Sequence, residues 1–197
     1  MMDDIRDVAF DPVKDGVTQV LKGLSVDVKR EGLLETPQRY AKAMRFLTKG
    51  YDELPEDVIK VFSDGGENYD EMVYVGDIRF YSLCEHHMLP FFGEAHVSYI
   101  PNGRILGLSK IPRLVEVFAR RFTVQERLTT QIANTLESLI KPIAVGVVIR
   151  ARHMCVEMRG VQKPNTVTTT SALRGRFKMS AAARSEFMNM IDFTKAV

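Results

Sequence analysis

Only two cysteines occur in the 197 residues, Cys84 and Cys155, too few for the disulfide framework of a small secreted domain. Each lies within three residues of a histidine, and three of the four histidines share these two short segments, a pattern that suits metal ligation. Long apolar runs are also lacking: no stretch approaches the roughly 20 residues needed to span a bilayer. The opening MMDDIRDVAF is acidic and has no apolar stretch of signal-peptide length, so the cytoplasm is the expected location. Nor is there an excess of charge. Lys and Arg number 27 against 25 Asp and Glu, a net charge of +2, which gives no bulk attraction to nucleic acid or a membrane surface and leaves any such claim to local clusters. Internal repeats and low-complexity segments are absent, and so are the compositions of fibrous or disordered chains.

What is present is enough apolar surface, 45% of the residues, for one domain, or one domain with a helical appendage. Asp11 and Pro12 form a helix start, followed by Val13, Val17, Val20, Leu21 and Leu24 on one face. Thr36 and Pro37 start a second helix with Tyr40, Met44 and Leu47 on its buried side and a left-handed stop at Gly50. Residues 52–71, acidic and broken by Pro55, Gly65 and Gly66, read mostly as connector. From Met72 the pattern changes to strands: MVYVGDIRFYSL, then EAHVSYI, then a Pro101-Asn102-Gly103 turn with RILGL as its returning arm. Two helices follow, one capped by Ser109 and carrying Ile111, Leu114, Val115 and Phe118, one capped by Thr123 and carrying Leu128, Ile132 and Leu136. A strand from Ala144 to about Met158, its partner TVTTTSAL and a last helix from about Ser180 to Ile191 complete the chain. Two strands, two helices and two strands predict an α+β domain, an antiparallel sheet with a helical layer on one face. Its open edges need covering, which points to an oligomer. The division expected is 1–70, helical region and connector, and 71–197, the α+β domain.

SLCEHHML sets Cys84 and His87 three residues apart, on one side of a helical turn but on opposite faces of a strand, so the backbone must bend after Leu83. In ARHMCVEMRG, His153, Cys155, Glu157 and Arg159 alternate, so a continuing strand would show all four on one face. Cys84, His87 and Cys155 then make a Cys2His set with an open fourth position, the pattern of a catalytic zinc that lowers the pKa of bound water to about 7. Spacing equally allows Cys84, His86 and Cys155, a closed site with His86 or His153 as fourth ligand, or two buried cysteines with no metal.

SLCEHHMLPFFGEAHVSYIPNGRILGLSK, TVQERLTTQIA and ARHMCVEMRGV, in this order and spacing, resemble GTP cyclohydrolase I. REGLLETPQRYAKAM and TVTTTSALRGRF extend the resemblance over most of the chain; Thr123 stands where the family more usually has glutamine. The resemblance implies a T-fold, an antiparallel four-stranded sheet with two helices, preceded by a helical N-terminal region and assembled as a decamer of two pentameric rings. It implies one Zn2+ per subunit on Cys84, His87 and Cys155. The implied reaction is hydrolysis of GTP to 7,8-dihydroneopterin triphosphate and formate, the first step of folate or tetrahydrobiopterin synthesis.

That chemistry adds water at C8 of the purine while N7 gains a proton. On the resemblance His153 is the donor to N7, His86 serves later proton traffic and Ser109 assists at the sugar. Lys110, Arg113, Arg159, Arg39 and Lys42 are implied for the triphosphate, for which guanidinium forks are suited. Glu126 matches the paired donors of guanine, with Gln125 assisting. Spacing alone reads Thr123-x-x-Glu126 as a capping box, in which Glu126 would bond backbone instead. Two other classes stand beside this one, a different T-fold enzyme of pteridine or deazapurine metabolism and a noncatalytic zinc or nucleotide-binding oligomer. The joint presence of CEHH and HMC argues against the first, and the histidines and cations together against the second.

Overall fold

A computed structural model describes residues 11–195 and 197; residues 1–10 of the expected N-terminal region lie outside them. The chain divides into two compact units at Leu47/Thr48.

In the first unit, α1 (Pro12–Gly23) begins as the sequence predicts. The Asp11 carboxylate accepts from the N–H groups of Val13 and Lys14, and Pro12 occupies a position where no N–H is needed. The second helix, α2 (Thr36–Leu47), buries Pro37, Ala41 and Met44, one step round from the expected face: Tyr40 is exposed and Leu47 half-buried. Arg45 of α2 pairs with Asp11 at 2.7 Å.

Gly50 stands near the start of the second unit. Its backbone is not left-handed as expected, since positive-φ glycines are found at 65, 103, 160 and 175. Glycine is required there by close approach, because a Cβ would stand 2.1 Å from the carbonyl oxygen of Val117. The elements then run α3 (Pro55–Val58), β1 (Val61–Phe62), β2 (Val73–Cys84), β3 (Pro90–Ile100), β4 (Ile105–Leu106), α4 (Lys110–Ala119), β5 (Phe122–Thr123) and α5 (Gln125–Ile140). They continue with β6 (Ala144–His153), α6 (Met154–Glu157), β7 (Val167–Gly175), α7 (Arg176–Met179) and α8 (Ala181–Asn189). The architecture is α+β. The main sheet has the order β5-β2-β3-β6-β7, with its four long strands antiparallel and the two-residue β5 parallel to β2.

Alternation along the strands makes two cores. Phe80, Phe91, Val97, Tyr99, Val145, Val147 and Ile149 pack with Ile111, Leu114, Leu128, Ile132 and Leu136 of α4 and α5. The intervening Ile100, Ala144 and Val148 pack with Phe177, Phe187 and Ile191. Two sequence expectations are corrected. RILGL is not the returning arm of β3, because β4 pairs with β1 of the connector, and the edge of β3 it would have taken is occupied by β6. The strand from Ala144 also stops at His153, where the chain coils into α6.

Candidate metal centre

Register decides which chain ends meet. Leu83 pairs with Pro90 across β2 and β3, and Phe91 pairs with His153 across β3 and β6. The β2–β3 turn and α6 are therefore placed at the same end of the sheet. The turn is closed by Cys84 itself, whose N–H donates to Leu89 O at 2.8 Å while its carbonyl accepts from His87 N–H at 3.3 Å and Met88 N–H at 2.8 Å. Met88 takes the left-handed φ of +57° that lets the chain return as β3. Glu85 fastens the turn to its surroundings, with N–H donating to Thr123 O at 3.1 Å and a carboxylate paired with Arg127 of α5.

This turn brings one ligand atom each of Cys84, His87 and Cys155 within 4.8 Å of one another. Nδ1 of His87 lies 3.8 Å from Cys84 Sγ. Tetrahedral zinc, with bonds of about 2.3 Å to sulfur and 2.0–2.1 Å to nitrogen, sets S···N near ~3.6 Å and S···S near ~3.8 Å, so the donors fit such an ion with little movement. Nδ1 of His86 is also 3.8 Å from Cys84 Sγ, but the group of three closes on His87. Cys84 is buried, Cys155 half-buried and His87 exposed, so the centre opens to solvent on one side. Burial first, and the neighbouring Cys84 second, push the Cys155 thiol above its ordinary pKa. Two thiolates this close need a cation between them, and two thiolates with an imidazole favour a soft divalent one. Arg159 donates to Nε2 of His87 at 2.9 Å, since a guanidinium has no lone pair to offer.

His153, two residues before Cys155, lies flat against Phe91, centroids 4.7 Å apart and planes 2° from parallel. Its Nε2 is 2.8 Å from Gln125 Oε1. Burial lowers its pKa, against the opposing pull of Glu126 and Glu157. Gln125 is buried, whereas Glu126 is exposed. Val124, not Thr123, precedes α5, and no side chain caps that end, so the capping box is not formed and the Thr123 hydroxyl donates to Val124 O. Ser109 is exposed before α4 and makes no cap bond; Lys110 and Arg113 follow on the helix, Arg113 exposed. Arg39 and Lys42 are exposed on α2 of the first unit, where Arg39 pairs with Glu35. The Glu85–Arg127 pair and the buried side chain of Gln125 were not foreseen. Only the run Gln125-Glu126-Arg127 hinted at them, and periodicity does not say which of three consecutive polar residues turns inward.

A second group of donors, Asp77, Glu94 and His96, also lies within 4.8 Å. Its carboxylates are already matched, Glu94 with Arg150 at 2.9 Å and Asp77 with Lys195 at 2.7 Å. Nδ1 of His96 accepts from Asp77 N–H at 3.4 Å, with the Tyr74 hydroxyl 2.9 Å away. A metal on Nε2 would force a hydrogen onto that acceptor nitrogen, against a backbone N–H that cannot turn away as the exposed Arg159 side chain can from His87, so the geometry opposes ligation.

The chain matches the family model of GTP cyclohydrolase I over residues 13–192. A GTP cyclohydrolase 1 of Chlorobaculum tepidum is 60% identical over 179 residues, 90% of this chain and 79% of that protein. One of Porphyromonas gingivalis is 59% identical over 173 residues, 88% of this chain and 89% of that protein. One of Campylobacter jejuni is 55% identical over 184 residues, covering 93% and 96%.

Proposed function

The chain belongs to the GTP cyclohydrolase I family, and on that premise we propose that Cys84, His87 and Cys155 hold one zinc ion per subunit where GTP is hydrolysed at C8 to 7,8-dihydroneopterin triphosphate and formate. The observation that carries this reading is the meeting of two thiols and an imidazole within 4.8 Å at a centre open on the His87 side. Bound zinc supplies Lewis acidity, which makes water a nucleophile near neutral pH.

The chain's own groups do the rest. His153, stacked on Phe91, exchanges a proton at purine N7 and is held in place for it by Gln125. His86, exposed beside the ligands and free of the group of three, serves proton traffic after ring opening, and Ser109 assists at the sugar. The exposed Glu126 carboxylate, not engaged as a helix cap, takes the N1 and exocyclic amino hydrogens of guanine. Lys110 and Arg113 on α4, and Arg159, take the triphosphate. Arg159 is supported in this by its bond to His87: an imidazole ligating through Nδ1 carries its hydrogen on Nε2, which turns the guanidinium away and frees it for an anion. Arg39 and Lys42 are assigned further phosphate contacts on the resemblance alone.

Residues 71–197 are read as the catalytic T-fold and 1–70 as the helical region and connector. The assembly proposed is a homodecamer with sites at subunit interfaces, located in the cytoplasm; no helix among the described residues is long and apolar enough to cross a membrane. Purified protein incubated with GTP, followed by mild oxidation, should yield a fluorescent pterin and an equivalent of formate. A zinc-loaded preparation releasing neither would overturn the assignment.

A further inference from the structure

Gln125 stands in the first turn of α5 and is 1% exposed, an unusual place for an amide. Its Nε2 lies 3.0 Å from Ile149 O, 3.0 Å from Thr168 O and 3.1 Å from Thr170 Oγ1. Two of these partners are backbone carbonyls, which only accept, so the end of the amide facing them is the NH2 group. Turned by 180°, the amide would press its oxygen against both carbonyls and lose the bonds.

The hydroxyls around it fix the same direction. Thr129 Oγ1 donates to Gln125 O at 2.7 Å, which uses its only hydrogen. The 2.7 Å contact between the Thr129 and Thr170 hydroxyls is then donated by Thr170, whose oxygen, a third acceptor beside the two carbonyls, shares one of the two hydrogens on Gln125 Nε2. Side-chain amide, two hydroxyls and the Gln125 backbone carbonyl thus close a ring of bonds with one sense. The amide oxygen points out of this ring, 2.8 Å from Nε2 of His153, and an amide oxygen cannot donate. His153 must donate. Its neutral form carries the hydrogen on Nε2 and keeps a lone pair on Nδ1, and the parallel Phe91 ring resists a flip that would put Cε1 where Nε2 stands.

We propose that Gln125 is a positioning residue that sets the tautomer of His153, so that Nδ1 is the nitrogen through which His153 exchanges its proton with substrate. The inference rests on the reading of His153 as the group acting at N7, and gives Gln125 a different role from contact with guanine. The Nε2–H···Oε1 bond persists whether Nδ1 is protonated or bare, so the ring keeps its orientation through the transfer without reorganising its support.

The test is nitrogen NMR of the zinc-loaded full chain labelled with 15N-histidine, without substrate and above the imidazole titration range, with His153 assigned by its loss in His153→Asn. The result expected is His153 as the Nε2–H tautomer, its Nε2 proton protected from solvent exchange. In Gln125→Met that proton should lose its protection, and kcat with GTP should fall roughly 10- to 100-fold while KM stays within about twofold, zinc being retained. Thr170→Val leaves both carbonyls to hold the amide, so it should keep the protected proton. A His153 found as the Nδ1–H form, or a Gln125→Met that raises KM tenfold or more with kcat unchanged, would overturn the proposal. The unmodified protein decides the tautomer even if Gln125→Met does not fold. Failure of that protein to turn over GTP would count against the functional reading instead.

Discussion

The sheet carries two groups of side chains that could ligate a metal, and they are built to opposite ends. Cys84, His87 and Cys155 sit where β2 turns into β3 and β6 coils into α6, with thiols that repel one another as thiolates and an imidazole on the open side. Asp77, Glu94 and His96 sit on strands of the same sheet, yet there Arg150 and Lys195 supply the positive charge, and Arg150 also donates to the carbonyls of Phe193 and Lys195. In the first group the nearby cation, Arg159, bonds the imidazole, whereas in the second Arg150 and Lys195 pair directly with the two carboxylates. Proximity of ligand atoms is therefore weak grounds for a metal site, and the charge and tautomer of the surrounding groups decide. The second group serves the fold instead, joining the segment after α8 to β2, β3 and β6 through the buried Glu94–Arg150 pair, whose arginine also bonds Phe193 O and Lys195 O, and the exposed Asp77–Lys195 pair.

The largest effects should come from removing a ligand. Cys84→Ser, His87→Ala and Cys155→Ser should each lose zinc and GTP turnover together. His153→Ala should keep zinc and measurable GTP binding yet lose about 10²- to 10⁴-fold in ring opening, accumulating neither formate nor a formylated opened purine; fast formation of that intermediate in single turnover would move His153 to a later step. Glu126→Ala should cost about 30- to 1000-fold in kcat/KM through the lost pairing with guanine, with the melting temperature nearly unchanged because no cap is broken. Unaltered kinetics with a lowered melting temperature would refute this.

On the other side of the comparison, Glu94→Gln should leave zinc content unchanged and cost about 3 kcal/mol of stability in denaturant titration, since Arg150 is left buried without its partner. The smallest effect concerns pH. Burial holds the His96 pKa below 6.5, with Glu94 and Asp77 pulling it up and Arg150 down. Unfolded chains take up a proton near pH 6.5 that folded ones decline. Stability should thus be full above that pH and erode below it, by at most about 1.4 kcal/mol per pH unit until the folded pKa is reached. A denaturation midpoint in His96→Gln that falls as steeply between pH 7 and 5.5 as in the parent would remove His96 from this account.

How much of this was legible in the sequence varied with the range of the interaction. Local signals carried through: Asp11-Pro12 starts α1, the long strands and the two helices between them stand where their periods put them, though without the caps expected of Ser109 and Thr123, and Ser180 caps α8. Partner choice did not, and β4 beside β1 is the example, since pairing of two-residue strands leaves no periodic trace. At the site, the clustering of cysteine with histidine marked the centre, but spacing left His86 and His87 equivalent and drew Cys155 on a strand. The α6 turn that places Cys155 near Cys84 has no signal in an alternating HMCVE. Gln125 stayed hidden for a similar reason: its partners Ile149, Thr168 and Thr170 are strand residues more than twenty positions away, chosen by the β6–β7 register.

The most direct test of the central claim is elemental analysis of five purified chains: the parent, His86→Ala, His87→Ala, Cys155→Ser and the double variant Asp77→Asn/His96→Gln. About one zinc per chain is expected in the parent, in His86→Ala and in the double variant, with little or none in His87→Ala and Cys155→Ser. Zinc kept by His87→Ala but lost by His86→Ala, or lost by the double variant while its fold persists, would contradict it.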